Sequence, residues 1–325
     1  MNGVIILDKP AGWTSHDVVN RMRRILQQKS VGHLGTLDPL ATGVLPLVTG
    51  SLTRLAQFYT ASEKTYEGVI RFGFATNTYD ADGDPVGEPR PVTLSLDHLQ
   101  KLSTEFLGFI GQVPPPFSAK KIHGVPAYKL ARKQKEVILQ PVQVEIKEFV
   151  ILSVEHDCAH FRARVASGTY MRSVAHEMGQ RLGCGAHLES LRRTAVAEFD
   201  IAQAHTLGEI EIHLKNCHPD RSILFAQGTE REVEGPAASS PAGSIDLAAL
   251  FIHPRQLLPQ LPSVTADEAT AVRIRSGRPV NLPELSRARQ VKVFHGQRDL
   301  IAIATRVAGT LFHPKIVFSA EQTSK

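Results

Sequence analysis

Asp38 is the single acidic residue in the stretch VGHLGTLDPLATGVLPL (31–47), which is otherwise uncharged and mostly apolar. A carboxylate in such surroundings has two interpretations. It can act as a nucleophile in a pocket that keeps water away. It can also simply open a turn, because Asp followed by Pro suits turn geometry and Pro39 disfavours the helical region for Asp38.

A reactive Asp38 has to keep its charge. Aspartate has an ordinary pKa of about 3.9, and a dry pocket raises that value unless a cation holds the charge. Arg172, in GTYMRS, stands at the start of a predicted helix, where the helix dipole disfavours a cation. Its position supports a local acidic partner, although a surface arginine is the alternative.

The elements that would position these residues predict an α+β fold in which strands dominate and helices cover one side. GVIILD (3–8) is typical of a buried strand, and a helix capped by Thr14 or Ser15 follows it. KTYEGVIRFGF (64–74) alternates with period two, which predicts a strand with Tyr66 on its buried face. A strand pair is predicted from QVEIKEFVILSVEHD and AHFRARVASG, and a helix from Met171 to a stop at Gly183.

The chain divides near residue 245. Residues 1–225 are predicted to form a first domain, and the breaker-rich segment 226–244 a flexible linker or insertion. Residues 245–325 hold 11 Lys and Arg against 6 Asp and Glu, whereas residues 1–244 hold 26 of each. The pieces VRIRSGRPV, VKVFHG and DLIAIATRV in this tail are strand-like and predict a small β-rich domain.

A local basic patch, KKIHGVPAYKLARKQK (120–135), contains no acidic residue and includes Tyr128. Such a run is often only a solvated face. Cations mixed with aromatic rings are also what RNA backbones and splayed bases require, so nucleic acid is a candidate partner.

Several function classes are not expected. The start of the chain shows no basic region before its short apolar run, and no stretch approaches the ~18 apolar residues that span a bilayer, so we expect a soluble cytoplasmic protein. Three cysteines without CxxC spacing and fourteen histidines without HExxH predict no disulfide frame and no metal site. The glycines match neither nucleotide fingerprint, so we predict no cofactor.

Seven segments occur in the order and spacing of one family. They are LDKPAGWTSHDVV, GHLGTLDPLATGVLPL, KTYEGVIRFG, TNTYDADGD, PPPFSAKKIHGVPAYKLAR, SGTYMRSVAHEMG and HLESLRRTAVAEF. From about residue 3 to residue 210 the chain resembles the bacterial tRNA pseudouridine synthase B family. The resemblance implies isomerisation of the T-loop uridine conventionally numbered 55. It also implies a catalytic domain around a central mixed, mainly antiparallel sheet flanked by helices, and a small RNA-binding domain of the PUA type.

The resemblance also implies roles for individual residues. Asp38 matches the catalytic aspartate, Arg172 its cationic partner, and Tyr66 the active-site tyrosine that can stack on a flipped base and help move the C5 proton. The expected substrate contacts are His33 in the vacated RNA site, Asp80 in the polar network, Tyr170 and Leu191 in the pocket lining, and Lys9, Lys120, Lys121 and the Arg192–Arg193 pair at phosphates. The expected partner is the tRNA T stem-loop, with no protein partner required and a monomeric chain.

Other interpretations stay open. The pocket could belong to a tRNA-binding folding helper, or the carboxylate to a nucleoside hydrolase or glycosidase, which would need a second carboxylate as general acid. The sequence leaves open whether Asp38 attacks C1′ or C6 and which group removes the C5 proton. If the C-terminal domain only grips RNA, deleting residues 245–325 should lower affinity and leave the chemistry intact.

Overall fold

The computed structural model describes residues 1–118, 120–122, 124–131, 139–217, 250–284 and 286–318. The predicted linker 226–244 lies outside these residues, as do the side chains of Lys121 and Tyr128 in the basic patch. The helices, in chain order, are α1 (Ser15–Ile25), α2 (Ala56–Tyr59), α3 (Leu96–Thr104), α4 (Ala127–Ala131), α5 (Met171–Arg181), α6 (Leu207–Cys217) and α7 (Glu268–Arg275).

The strands fall on either side of residues 218–249. Those before are β1 (Gly3–Lys9), β2 (Val31–His33), β3 (Thr42–Thr49), β4 (Lys64–Phe72), β5 (Ala75–Thr76), β6 (Pro85–Val86), β7 (Gly108–Gln112), β8 (Lys121–Ile122), β9 (Val125–Pro126), β10 (Val142–Glu155), β11 (Cys158–Val165), β12 (Ala186–Val196) and β13 (Phe199–Asp200). Those after are β14 (Ser263–Ala266), β15 (Val280–Asn281), β16 (Gln290–His295), β17 (Asp299–Ala308) and β18 (Leu311–Val317).

Within the described residues, one nine-stranded sheet forms the first part of the chain, in the order β1-β3-β12-β4-β11-β10-β7 with β2 paired to β3 and β13 to β12. The β3–β12 pair is parallel and the other pairs are antiparallel, which confirms the predicted mixed, mainly antiparallel sheet. The helices α1, α3, α5 and α6 pack their apolar residues on one face of this sheet. The predicted cap of α1 is Thr14, which forms a capping box with Asp17.

The C-terminal part is a five-stranded sheet in the order β14-β16-β17-β18-β15, which confirms a β-rich second domain. The prediction of a strand from VRIR is wrong, because these residues end helix α7. Asp267 caps that helix by accepting a hydrogen bond from Thr270, and the helix buries Ala271 and Ile274 at helical spacing. Val and Ile alternate with Arg in VRIR, which imitates the period-two pattern of a strand. Four residues are too few to distinguish that pattern from a helix.

The two sheets share a core. On the face of β1 and β3 that the helices leave uncovered, Val4, Ile6, Val44 and Val48 pack in one cluster with residues from beyond position 249. Those residues are Leu257, Leu258, Phe294, Leu300, Ile303, Ile316 and Phe318. On the helix-covered face, Gly3 packs against Phe251, and an added Cβ would lie 2.0 Å from a ring carbon of Phe251.

Candidate active site

Asp38 lies in the loop between β2 and β3, which we call the Asp38 loop (residues 34–41). The amide of Ala41 donates to the carbonyl oxygen of Asp38 at 3.1 Å, so Asp38-Pro39-Leu40-Ala41 is a hydrogen-bonded turn with proline in its second position. The turn interpretation is therefore correct, and the turn also presents the carboxylate, which remains 41% exposed.

The Asp38 loop is fastened to the start of the chain. The Ser15 hydroxyl donates to the carbonyl of Leu37 at 3.1 Å and accepts from the amide of Leu37 at 2.8 Å. The carbonyl of Pro39 accepts from the Gly12 amide at 2.9 Å and from the Lys9 ammonium at 3.2 Å. Because its backbone groups are paired on both sides of Asp38, the loop can hold the carboxylate in one position.

Arg172 is the cation that holds the charge of Asp38. Its Nη2 lies 2.9 Å from Oδ2 of Asp38, and its side chain is only 7% exposed. The same guanidinium donates to the carbonyls of Thr78 at 3.2 Å and Phe117 at 3.1 Å. The expected pair of Asp38 and Arg172 is thus present, with the arginine buried behind an open carboxylate.

Asp80 shares this arginine. Its Oδ2 lies 3.2 Å from Nη1 of Arg172, and its side chain is 8% exposed. Burial raises the pKa of the Asp80 carboxyl above its usual value, although the Thr78 hydroxyl and the Arg172 guanidinium lower it. Asp80 therefore contacts Nη1 of Arg172, whereas Asp38 contacts Nη2.

Two tyrosines lie near the Asp38 carboxylate. Burial raises the pKa of Tyr66 above its usual value, and Asp38 raises it further, while Arg193 lowers it. Burial and the negative charge of Asp38 also raise the pKa of Tyr170. The Gln112 side chain fixes the backbone of Tyr170 by accepting from its amide at 2.8 Å and donating to its carbonyl at 3.1 Å. Both phenols are neutral in this environment.

His33 ends the strand that leads into the Asp38 loop, and Leu191 lies on β12, which pairs with the strand of Tyr66. The Nδ1 atom of His33 accepts from the amide of Gly35 at 3.3 Å, at the entrance of the Asp38 loop. Burial lowers the pKa of His33, and Arg193 and His16 lower it further, which favours a neutral ring. Leu191 is half-buried opposite Gly68 of β4 and packs against the main core.

Some of the lysines and arginines that were expected to contact phosphates are buried, and others are exposed. Lys9 is fully buried and donates to the carbonyls of Pro10, Trp13 and Pro39, so it fastens the loop and is not placed to meet a phosphate. Burial lowers the pKa of Lys9 to about 8, although Asp38 raises it. Arg193 is also fully buried, whereas Arg192 is half-exposed and pairs with Asp8 at 2.7 Å. Lys120 is exposed.

Asp38 was expected to be screened from solvent in a dry pocket. Its side chain is instead 41% exposed. The charge is held by Arg172 rather than by exclusion of water. Sequence reasoning also missed Ser15 and Thr78. The only signal for Ser15 was its place next to the helix cap Thr14, which left it free for another role.

A separate groove of about 730 Å³ lies on the C-terminal sheet. Within the part of the chain that the structure describes, its lining combines positive and neutral polar side chains with one valine and includes no carboxylate. They are Arg289, Gln290, Thr305, Val307, His313 and Lys315.

The described residues contain neither a candidate membrane span nor a candidate metal cluster. No helix among them is long and apolar enough to cross a bilayer. No group of three or more His, Cys, Asp or Glu residues among them could hold a metal ion.

The fold defines the class of the protein. A chain of a Cbf5–Nop10–Gar1 complex aligns with 98% of this chain and 85% of its own length, with a TM-score of 0.68 at 23% identity. A chain of an H/ACA ribonucleoprotein bound to a substrate RNA containing 2′-deoxyuridine aligns with 98% of this chain and 86% of its own, with a TM-score of 0.67 at 22% identity. The protein has the pseudouridine synthase fold.

Sequence comparison is more specific. The family model "TruB family pseudouridylate synthase (N terminal domain)" matches residues 23–171, and "tRNA pseudouridylate synthase B C-terminal domain" matches residues 172–226. A tRNA pseudouridine synthase B of Solibacter usitatus is 47% identical over 98% of this chain and all of its own length. That of Aquifex aeolicus is 42% identical over 69% of this chain and 77% of its own. The chain belongs to the TruB family of pseudouridylate synthases and is an isomerase.

Proposed function

We propose that the protein converts uridine 55 in the T loop of tRNA to pseudouridine, with Asp38 as the nucleophile. The observation that carries this proposal is the open Asp38 carboxylate, held at 2.9 Å by a buried arginine. Such a carboxylate is charged, fixed in position and accessible to a base that has left its stack. The relatives named tRNA pseudouridine synthase B support the choice of substrate.

The reaction needs neither a redox step nor an energy source. The bond from uracil N1 to ribose C1′ breaks, the base turns, C5 joins the same C1′, and the C5 proton leaves while N1 gains one. Asp38 attacks either C1′ or C6 to carry this exchange. Tyr66 is buried next to Asp38, so its ring is suited to stack on the uracil and its hydroxyl to help move the C5 proton.

The substrate has to bring its base to Asp38. Turning a base out of a folded loop costs a few kcal/mol, which stacking and phosphate contacts offset. We assign His33 to the space that the base vacates, Tyr170 and Leu191 to the pocket walls, and the exposed Lys120 with Lys121 to phosphates. The RNA itself would cover the open face of Asp38 and exclude water.

The C-terminal domain is proposed to be PUA-like and to bind another part of the tRNA. Its basic groove, which includes Arg289, His313 and Lys315, fits a phosphate backbone because its described lining bears no competing carboxylate. We further propose that the chain acts as a monomer without a protein partner, in the cytoplasm where its tRNA substrate is found. Activity and light scattering of the purified chain alone would test the monomer.

The deciding experiment uses an unmodified tRNA transcript. The wild-type protein is expected to form pseudouridine at position 55 without changing the mass of the RNA. Asp38→Asn keeps the size of the side chain and removes its nucleophilic charge, so it should bind the transcript and form no detectable product. Release of free uracil would instead identify a glycosidase, and binding without any product by the wild type would identify a folding helper.

A further inference from the structure

Arg193 is a fully buried cation at the base of the site. Its guanidinium uses all three nitrogen atoms on backbone carbonyls, with Nε donating to Val44 at 2.8 Å, Nη1 to Thr36 at 3.1 Å and Nη2 to Gly35 at 3.0 Å. Gly35 and Thr36 precede Asp38, and Val44 follows it in β3. One side chain therefore ties together the two ends of the Asp38 loop.

Arg193 also contacts Tyr66. The two residues are directly opposite each other in the antiparallel pair of β12 and β4, so their side chains project on the same face. Burial raises the pKa of the Tyr66 phenol and the Arg193 guanidinium lowers it, and among the described residues no carboxylate forms a salt bridge with Arg193. The guanidinium is thus shared between the Asp38 loop and Tyr66.

The backbone around Arg193 is closely packed. Arg193 lies opposite Gly43 in the parallel pair of β12 and β3, and Gly43 has a φ of +97°. A Cβ on Gly43 would lie 2.2 Å from the carbonyl oxygen of Arg193. This close approach brings the backbone of Arg193 against the start of β3, just after the Asp38 loop.

Packing alone does not account for a charge in this position. Burying a cation without a carboxylate costs free energy, and an apolar side chain of similar volume could fill the space without that cost. A lysine ammonium is a point charge, whereas a planar guanidinium donates along several fixed directions at once. The three carbonyls require the planar group.

We propose, on the basis of the proposed function, that Arg193 is a positioning residue that sets the Asp38 loop and the Tyr66 hydroxyl against the same uridine. It does not touch the RNA. Its effect on the reaction is transmitted through the backbone on both sides of Asp38 and through the phenol of Tyr66.

The test compares Arg193→Lys and Arg193→Met with the wild type in single-turnover reactions at saturating tRNA. The rate of pseudouridine formation is expected to fall about 10- to 100-fold, because displacements of about 1 Å can cost that much. The Kd for tRNA should change less than about threefold, since binding uses remote contacts. The melting temperature of Arg193→Met should fall, because the buried carbonyls of Gly35, Thr36 and Val44 lose their donor. If Arg193→Met does not fold, Arg193→Lys retains the charge and carries the comparison.

Lys292→Met is the matched control. Lys292 is another buried cation that donates to carbonyls, those of Arg255 at 2.9 Å and Leu257 at 2.7 Å, in the C-terminal domain. Its loss should change the melting temperature and not the single-turnover rate. Combining Arg193→Lys with Tyr66→Phe should slow the reaction no more than the larger single effect, since both act on one arrangement.

Three results would overturn the role of Arg193: a folded variant that reacts within twofold of the wild type, an equal loss of rate in Lys292→Met, or fully additive effects with Tyr66→Phe. A wild-type protein that forms no pseudouridine would refute the proposed function itself. An active wild type with an unaffected Arg193 variant would refute this inference alone.

Discussion

The guanidinium of Arg172 is buried and the Asp38 carboxylate 2.9 Å away is open, so the cation holds the anion from behind while leaving one side accessible. A nucleophile needs this asymmetry, because a carboxylate enclosed on all sides could not meet a substrate. Asp80 restrains the guanidinium from another direction at 3.2 Å.

Replacing Arg172 should therefore affect the chemistry more than the binding. We expect Arg172→Met to lower the single-turnover rate by at least about 100-fold, with a tRNA Kd within a few-fold of the wild type. Arg181→Met is the control, because Arg181 is on the same helix and pairs with Glu177 and Glu105 at the surface. A strong loss of affinity in Arg172→Met without loss of rate would contradict the assignment.

The Tyr66 hydroxyl can be tested separately from its ring. Tyr66→Phe should retain tRNA binding, since the stacking surface is kept, and lower the rate by about 100-fold if the hydroxyl takes part in proton transfer. Tyr59→Phe removes another buried tyrosine hydroxyl, one that donates to Glu198 near the C-terminal domain. That control should lose stability and keep its rate, and a normal rate in Tyr66→Phe would exclude a role for the hydroxyl.

Lys9 should make stability depend on pH. Its pKa of about 8 in the folded protein lies below the ordinary 10.5, so the unfolded chain binds the proton more tightly between these values. The free energy of unfolding of the wild type, relative to Lys9→Met, should therefore rise with pH from about 8 to 10.5, by at most about 3 kcal/mol. Urea denaturation of both proteins across this range measures the difference. A constant difference would show that Lys9 keeps its ordinary pKa.

The basic groove should contribute to affinity and not to chemistry. Replacing Arg289 and Lys315 together with alanine should weaken tRNA binding and reduce the salt dependence of log Kd by about 2 units of slope, with the rate at saturating tRNA unchanged. The paired control is Arg273→Ala with Arg278→Ala, which removes the same charge from exposed positions elsewhere in the domain. Equal weakening in the control would indicate that only net charge matters.

Apolar periodicity in the sequence was sufficient to predict most of the elements that carry the site. The strand with Tyr66 and the helices that follow Thr14 and Tyr170 were predicted close to their observed bounds, because each buries one regular face. The burial of Lys9 and Arg193 could not be predicted, because backbone carbonyls surround both side chains. Every residue has such a carbonyl, so residue types do not indicate which carbonyls will accept a hydrogen bond. For that reason the sequence analysis assigned both residues to phosphate contacts at the surface.

The shared core has a consequence for dissecting the protein. Deleting residues 245–325 was expected to separate affinity from chemistry, yet Leu250, Leu257 and Leu258 lie in the same cores as β1 and β3. A shortened chain would present the bare outer surface of these strands to water and would be prone to aggregate. The Asp38 loop adjoins β3, so the tail acts as a scaffold for the proposed reaction centre even though it lies on the other side of the sheet.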